Sequence, residues 1–316
     1  MRGVLGLHHV TAIGGPAQEV LDFYEGVLGL RLVKRTVNQD EPHTYHLFFA
    51  DAVGTPGTDL TFFAWPHLPP ARPGVGGAVE VALAIPPGSE TYWNERLAAA
   101  GVRRGAWERR FDAPTLPFTD PHGLSLALVV VPERPAAVWA ASPVPPEAQI
   151  RGLHAVRLWV REAAPTHRLL VEVLGFTPAG EEGGWRRYAA GAHASGHWLE
   201  LQERPGAERA RWGVGGIHHV AWRVADDAHQ ESLQRALLAA GRRPTAPIDR
   251  YWFRSVYFVE PGGALFELAT DGPGFARDEP PDRLGERLAL PPWLEALRPT
   301  LEIHLPPLRR PAPARR

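Results

Sequence analysis

One short motif returns at intervals along the chain, and this repetition constrains the fold more than any other feature of the sequence. Gly6-Leu-His-His-Val10 reappears as Gly216-Ile-His-His-Val220, then in degenerate form as Gly152-Leu-His-Ala-Val156, and most faintly as Gly77-Ala-Val-Glu-Val81. Each copy opens a run of β-prone residues with few breakers. Each leads into a stretch of helical apolar spacing that stops at glycine: Glu19–Gly29, Ser89–Gly101, Ala164–Gly175 and Asp227–Gly241. Strand-like segments broken by turn residues follow. The last copy is clearest, with Tyr251–Val259, the turn Glu260-Pro-Gly-Gly263 and Ala264–Ala269. Pro121-His-Gly123 and Ser195-Gly196 mark the matching turns of the second and third copies.

Internal repeats of this kind decide the architecture before any single element does. The expectation is an α+β protein of four βαβββ modules paired into two half-open β-barrel cups, since one curled sheet alone leaves its apolar face uncovered. Residues 1–146 are expected to hold the N-terminal pair of modules and 147–276 the C-terminal pair. Pro132–Ile150, rich in Pro and Ala, reads as the linker between them. Residues 277–316 form a proline- and arginine-rich C-terminal extension, with a short helical piece near Trp293–Leu297 and a solvated tail over Arg309–Arg316.

Charge and composition narrow the function. Thirty-four basic residues against 35 acidic ones leave a net charge of −1, without the positive excess of a nucleic-acid or anionic-membrane binder. The chain has no cysteine, so disulfides, thiolate metal sites and a cysteine nucleophile are excluded. The longest apolar runs, such as Leu124–Val131, are too short to span a bilayer. The N-terminus lacks a basic segment followed by a long apolar one. A cytoplasmic protein with a small-molecule partner is expected, and a homodimer is the default expectation. Lys34 is the one lysine, which reads as codon bias.

Aligning the modules places His9, Val81, Ala155 and His219 at one equivalent position, and Phe62, Ala127, Glu200 and Glu267 at another in the last strand. Histidine stands at the first position only in copies one and four, and copy four also brings a carboxylate. Two imidazoles and a carboxylate on one face of a metal leave adjacent positions open, which suits non-haem Fe(II), with Mn(II) as the alternative. Neighbours on a regular strand point to opposite faces, so only one histidine of each His-His pair can face a shared metal. A lone pair of this kind is ordinary packing; two at matching points of a repeat, with Glu267 beside Gly262-Gly263, are harder to dismiss. With Ala155 at the ligand position, copy three carries no predicted metal, and Glu200 is left to a polar contact or to solvent.

Longer stretches resemble a known family. Gly6-Leu-His-His-Val-Thr11, Leu32-Val-Lys-Arg-Thr-Val-Asn38, Tyr45-His-Leu-Phe-Phe-Ala-Asp51, Gly54-Thr-Pro-Gly-Thr58, Gly216-Ile-His-His-Val220 and Gly262-Gly-Ala-Leu-Phe-Glu267 are similar to ring-cleaving, extradiol-type dioxygenases of the hydroquinone-dioxygenase group. That group lies in the glyoxalase/bleomycin-resistance/dioxygenase, or vicinal-oxygen-chelate, superfamily. Gly274-Phe275, Asp278-Glu279 and Leu290-Pro-Pro-Trp293 extend the likeness almost end to end. The resemblance implies that the second histidine of each pair and the late glutamate bind Fe(II), which means His9, His219 and Glu267. It implies that modules one and four share the working cup and that two and three form a metal-free one. It also implies that His8, Thr11, His218, Arg250 and Tyr257 surround the metal as catalytic residues, and that a hydroquinone or catechol reacts with O2.

Other residues carry weaker expectations. His46 reads as core or pocket lining, His43 as loop, and His122, His193 and His197 as exposed near turns. Trp222 and Trp252 flank the proposed site, where either could stack on an aromatic ring. Two rival functions share this sequence pattern. A glyoxalase I-like isomerase or lyase would take a carboxylate from each of two modules, and Phe62 stands where the second would be. A non-enzymatic protein sequestering an antibiotic would need no full ligand set.

Overall fold

The computed structural model describes residues 2–132 and 134–310. Four modules run along the chain, each a strand, a helix and a group of antiparallel strands. The first has strands Leu7–Gly14, Arg31–Val37, Tyr45–Ala50 and Asp59–Ala64; the fourth has Ile217–Val224, Ile248–Asp249, Arg254–Val259 and Leu265–Thr270. The helices of modules two and four are regular, over Glu90–Ala99 and Asp227–Ala239. Those of modules one and three begin as Ala17–Leu21 and Ala163–Arg168, then widen into π turns over Asp22–Val27 and Leu169–Val173.

Pairing crosses the chain. The opening strands of modules one and four run antiparallel and join their modules into one curled eight-stranded sheet, and modules two and three form the other. The distant ends of the sequence thus share a cup. Strand alternation sorts the side chains. Val10, Ala12, Phe62, Val220, Phe266 and Leu268 join the large apolar core, which also holds Val156, Leu158 and the helix residues Trp93 and Leu97. His9, Thr11, Thr61 and Glu267 occupy the alternate positions and face the first cup.

The register corrects two alignments. Thr11 lies opposite Thr61 as Ala221 lies opposite Glu267, so Thr61, not Phe62, stands where module four has its carboxylate. In the second sheet Glu80 pairs with Arg157 as His9 pairs with Ala221, so Glu80, not Val81, is the counterpart of His9. Both slips are one residue, which in a strand moves a side chain to the other face. Position for position, the repeated motif itself sets Glu80 against His9, and each opening strand carries one unpaired extra residue at that same place in the repeat: His8, Val79, His154 and His218.

The extension is ordered through residue 310. Short helices span Phe275–Arg277, Pro281–Arg283, Pro292–Leu297 and Arg298–His304. Phe275, Leu284 and Ala289 close the back of the first cup against Val33, Phe48, Trp252 and Phe253. At the expected solvated tail, Arg309 takes a hydrogen bond to Gln18 and Arg310 reaches the Leu32 carbonyl, so those two residues are anchored. Residues 311–316 lie outside the described residues. Among the described residues no helix is long and apolar enough to cross a membrane.

Candidate metal centre

The extra residue in each opening strand is a β-bulge, which re-aims side chains beside it. Because of it both members of a His-His pair turn toward one place, which a regular strand forbids. The carbonyl of His8, freed from the ladder, accepts the Gly57 N–H at 2.7 Å. Gly57 has φ of +94°, and a Cβ there would stand 3.0 Å from the Leu7 carbonyl oxygen, so glycine is required. Gly196 serves His154 in the same way.

His9, His219 and Glu267 converge in the first cup, all buried. The two Nε2 atoms lie 3.2 Å apart, and Glu267 Oε2 is 3.3 Å from that of His9 and 3.0 Å from that of His219. Ser255 Oγ donates to the other Glu267 oxygen at 2.5 Å, fixing the carboxylate.

The tautomers follow from the outer bonds. His8 Nε2 lies 3.1 Å from the Thr270 carbonyl, which can only accept, so that nitrogen carries the proton. Burial, reinforced by His9, pushes the pKa of His8 down to about 3, so the ring is neutral and its Nδ1 is an acceptor. His9 Nδ1, 2.9 Å away, is then the donor, and His9 Nε2 is left with a bare lone pair aimed at Glu267. His218 Nδ1 stands 2.8 Å from His219 Nδ1 in the matching arrangement. Lone pairs facing a carboxylate oxygen that has no hydrogen-bond donor of its own demand a cation among them. Three such donors with supporting outer bonds fit a divalent transition metal.

A cavity opens onto these atoms, lined by His46, Phe48, Phe63, Arg250, Trp252, Phe253 and Tyr257. It continues outward past Trp65 and His218. Tyr257 lies against His219, and the Arg250 guanidinium sits 5.5 Å from the Tyr257 ring centre. Burial first, and the Glu267 charge second, raise the Tyr257 pKa, so its hydroxyl stays protonated. Arg250 is held by the exposed Asp40 through two bonds of 3.1 and 2.9 Å. His218 is neutral, with burial and His219 pushing its pKa down to about 3.

The structure therefore brings His218, Arg250 and Tyr257 to the cavity. His8 and Thr11 stand behind it, His8 on His9 and Thr11 on Thr61 at 2.7 Å. Trp222 is a correction: it faces the core, against Phe176 and Phe266. His122 and His197 are also covered, the first paired with Glu19 and the second bonded to the Ala190 carbonyl, whereas His193 is exposed. Sequence reasoning missed Thr61, Ser255 and Phe253. Thr61 and Ser255 sit in strands already predicted, and correct register would have found them.

Among the described residues the second cup holds no such set. Arg157 lies between Glu200 and Glu80, at 2.6 and 3.6 Å, while Arg187 also bonds Glu200 and Arg110 bonds Glu80. Glu200, at the position of Glu267, is a buried partner of two arginines.

Residues 6–128 and 152–268 match the sequence profile of the Glyoxalase/Bleomycin resistance protein/Dioxygenase superfamily. MhqA of Bacillus subtilis (strain 168), provisionally named a ring-cleaving dioxygenase, is 40% identical over 97% of this chain and 99% of its own length. The chlorohydroquinone/hydroquinone 1,2-dioxygenase of Sphingobium indicum is 31% identical over 93% of this chain and 94% of its own. A crystal structure from Bacillus subtilis subsp. subtilis str. 168, described provisionally as a dioxygenase, superposes with a TM-score of 0.94 at 39% identity, covering 98% and 99% of the two chains. With two paired-module cups and a profile match over both halves, the chain belongs to the Glyoxalase/Bleomycin resistance protein/Dioxygenase superfamily.

Proposed function

We propose that the protein is a cytoplasmic, Fe(II)-dependent ring-cleaving dioxygenase that inserts both atoms of O2 into a hydroquinone- or catechol-type aromatic. The observation that carries this reading is the convergence of His9 Nε2, His219 Nε2 and Glu267 Oε2 at the wall of an aromatic-lined cavity. The named activity of the Sphingobium relative supports the same substrate class.

His9, His219 and Glu267 would hold the metal. Bound there, Fe(II) would supply a cation that acidifies a phenol and an electron source for O2. The remaining chemistry belongs to the chain. Phe48, Phe63, Trp252 and Phe253 shape a flat apolar slot that takes an aromatic ring and excludes water. Arg250 receives a phenolate or other anionic substituent in exchange for the exposed Asp40 carboxylate. His218, at the outer part of the cavity, and the Tyr257 hydroxyl beside His219 are the side chains positioned to hydrogen-bond the substrate's oxygens and carry its protons. The isomerase alternative calls for a carboxylate from module one, and Thr61 occupies that place.

The test is anaerobic loading with Fe(II), then oxygen uptake on a panel of hydroquinones and catechols, with His219→Ala as the control for free iron. Substrate-dependent uptake that disappears in the variant supports the reading, and Mn(II) loading decides the metal. Stoichiometric metal with no uptake on any phenol would overturn it in favour of an isomerase. Ligand affinity that survives removal of the metal, without turnover, would favour a binding protein.

A further inference from the structure

Module one contributes more than His9 to the shared cup. Its strand Tyr45–Ala50 turns His46 into the cavity that also holds His9, His219, Arg250 and Tyr257. The imidazole is held on three sides. Its ring centre lies 4.0 Å from that of Phe48 and 4.4 Å from that of Phe63, which fix the plane. Its Nε2 lies 2.9 Å from Thr61 Oγ1, and Thr61 Oγ1 lies 2.7 Å from Thr11 Oγ1. Thr61 is the register counterpart of Glu267, so the position that supplies a ligand in module four supplies, in module one, the hydroxyl that anchors His46.

Among the described residues His46 Nδ1 has no protein hydrogen-bond partner, and it is not one of the fully enclosed polar atoms left without one. A part-buried ring nitrogen, oriented by two aromatic rings and a hydroxyl pair and facing a cavity, is a ready-made polar contact for a ligand. We propose that His46 is a specificity-determining residue that hydrogen-bonds, through Nδ1, a ring hydroxyl of the substrate other than the one facing His9 and His219. This inference rests on the aromatic-substrate reading of the same cavity. It accounts for a histidine among phenylalanines, where packing alone needs no polar atom.

Either tautomer serves. With the proton on Nε2, His46 donates to Thr61 and accepts from the substrate; with the proton on Nδ1, the roles reverse. A hydroxyl both donates and accepts, so it satisfies both cases, whereas a methyl group satisfies neither. Hydroquinone and 4-methylphenol differ by this one group at nearly the same size, so they isolate the contact.

The experiment is calorimetric titration of the Fe(II)-loaded protein with each phenol under nitrogen, comparing the parent with His46→Leu, His46→Gln and Thr61→Val. The parent should bind hydroquinone about tenfold more tightly than 4-methylphenol, the value of one well-placed neutral hydrogen bond. In His46→Leu that ratio should fall to near one with metal stoichiometry unchanged. His46→Gln should restore part of it, and Thr61→Val should lower it by loosening the ring. A ratio in His46→Leu equal to that of the parent, or a parent without preference, would overturn the proposal. Because binding is read without O2, a parent that prefers hydroquinone through His46 yet consumes no oxygen sinks only the ring-cleavage reading.

Discussion

Replacing Lys34 by methionine tests whether the C-terminal extension is part of the working fold or an appendage. Lys34 has no exposed surface, and its ammonium bonds the Phe275 carbonyl at 3.2 Å, Asp278 at 2.8 Å and Glu279. Asp278 Oδ1 also accepts the Trp252 Nε1–H at 2.9 Å, and the Gly274 N–H donates to the Trp252 carbonyl. One ammonium therefore ties the second strand of module one to the extension and, through it, to the cavity wall beside Arg250. Methionine fills the volume but strands the Glu279 carboxylate, which is itself buried. Removing one partner of a buried ion pair costs about 3–5 kcal/mol, most of it the uncompensated charge left behind. For a chain of this length that corresponds to a fall in melting temperature of roughly 5–8 °C. The assay is guanidinium unfolding followed by tryptophan fluorescence and circular dichroism together, on Lys34→Met, Glu279→Gln and the double variant. The double variant should recover at least half the loss, since it removes the stranded charge. A loss below about 1 kcal/mol in Lys34→Met, the figure of an exposed pair, would refute the reasoning. So would a double variant whose loss is the sum of the single losses.

Two further outcomes follow from the same geometry. His8→Phe keeps a ring at its place but removes the acceptor that fixes the His9 tautomer, so metal affinity should fall about 10- to 100-fold in a competitive chelator titration; unchanged affinity would show that the tautomer needs no such partner. In the second cup His154 is buried, and desolvation, with Arg187 next, pushes its pKa down to about 3. The unfolded chain takes up that proton near pH 6.5 and the folded one does not, so this contribution to stability is present above 6.5 and is lost as pH falls toward 3. His154→Leu should flatten the acid limb of the stability curve by about 1.4 kcal/mol per pH unit across that range, and an acid limb parallel to the parent's would count against it.

The repeat, the cup partnership and the convergence of His9, His219 and Glu267 were legible because each rests on residue identity at matching places in the modules. Two histidine pairs and one glutamate mark their positions whatever the strand does in between. What stayed hidden depends on counting along a strand, and here the count breaks. A regular strand has period two, so seeing His8 beside His9 argues that one of them must turn away. The bulge cancels that rule at the site itself, letting His8 turn its Nδ1 to the ring of His9 instead of pointing into the core. The second module carries the same extra residue at Val79, in step with the others, so Glu80 answers to His9 and Val81 to Val10. No periodic signal announces a bulge, although the glycine that receives its freed carbonyl is visible at Gly57 in the Gly54-Thr-Pro-Gly-Thr58 motif. Long-range partners were equally out of reach: the Lys34 environment is made by residues some 240 positions away, so a lysine that reads as a remnant of codon bias is the buried centre of a charge cluster. The irregular strand and the solitary lysine each mark a place where local rules give way because the site requires it. The strand that breaks alternation beside a histidine is thus the place to look for the bonds that orient the candidate ligands.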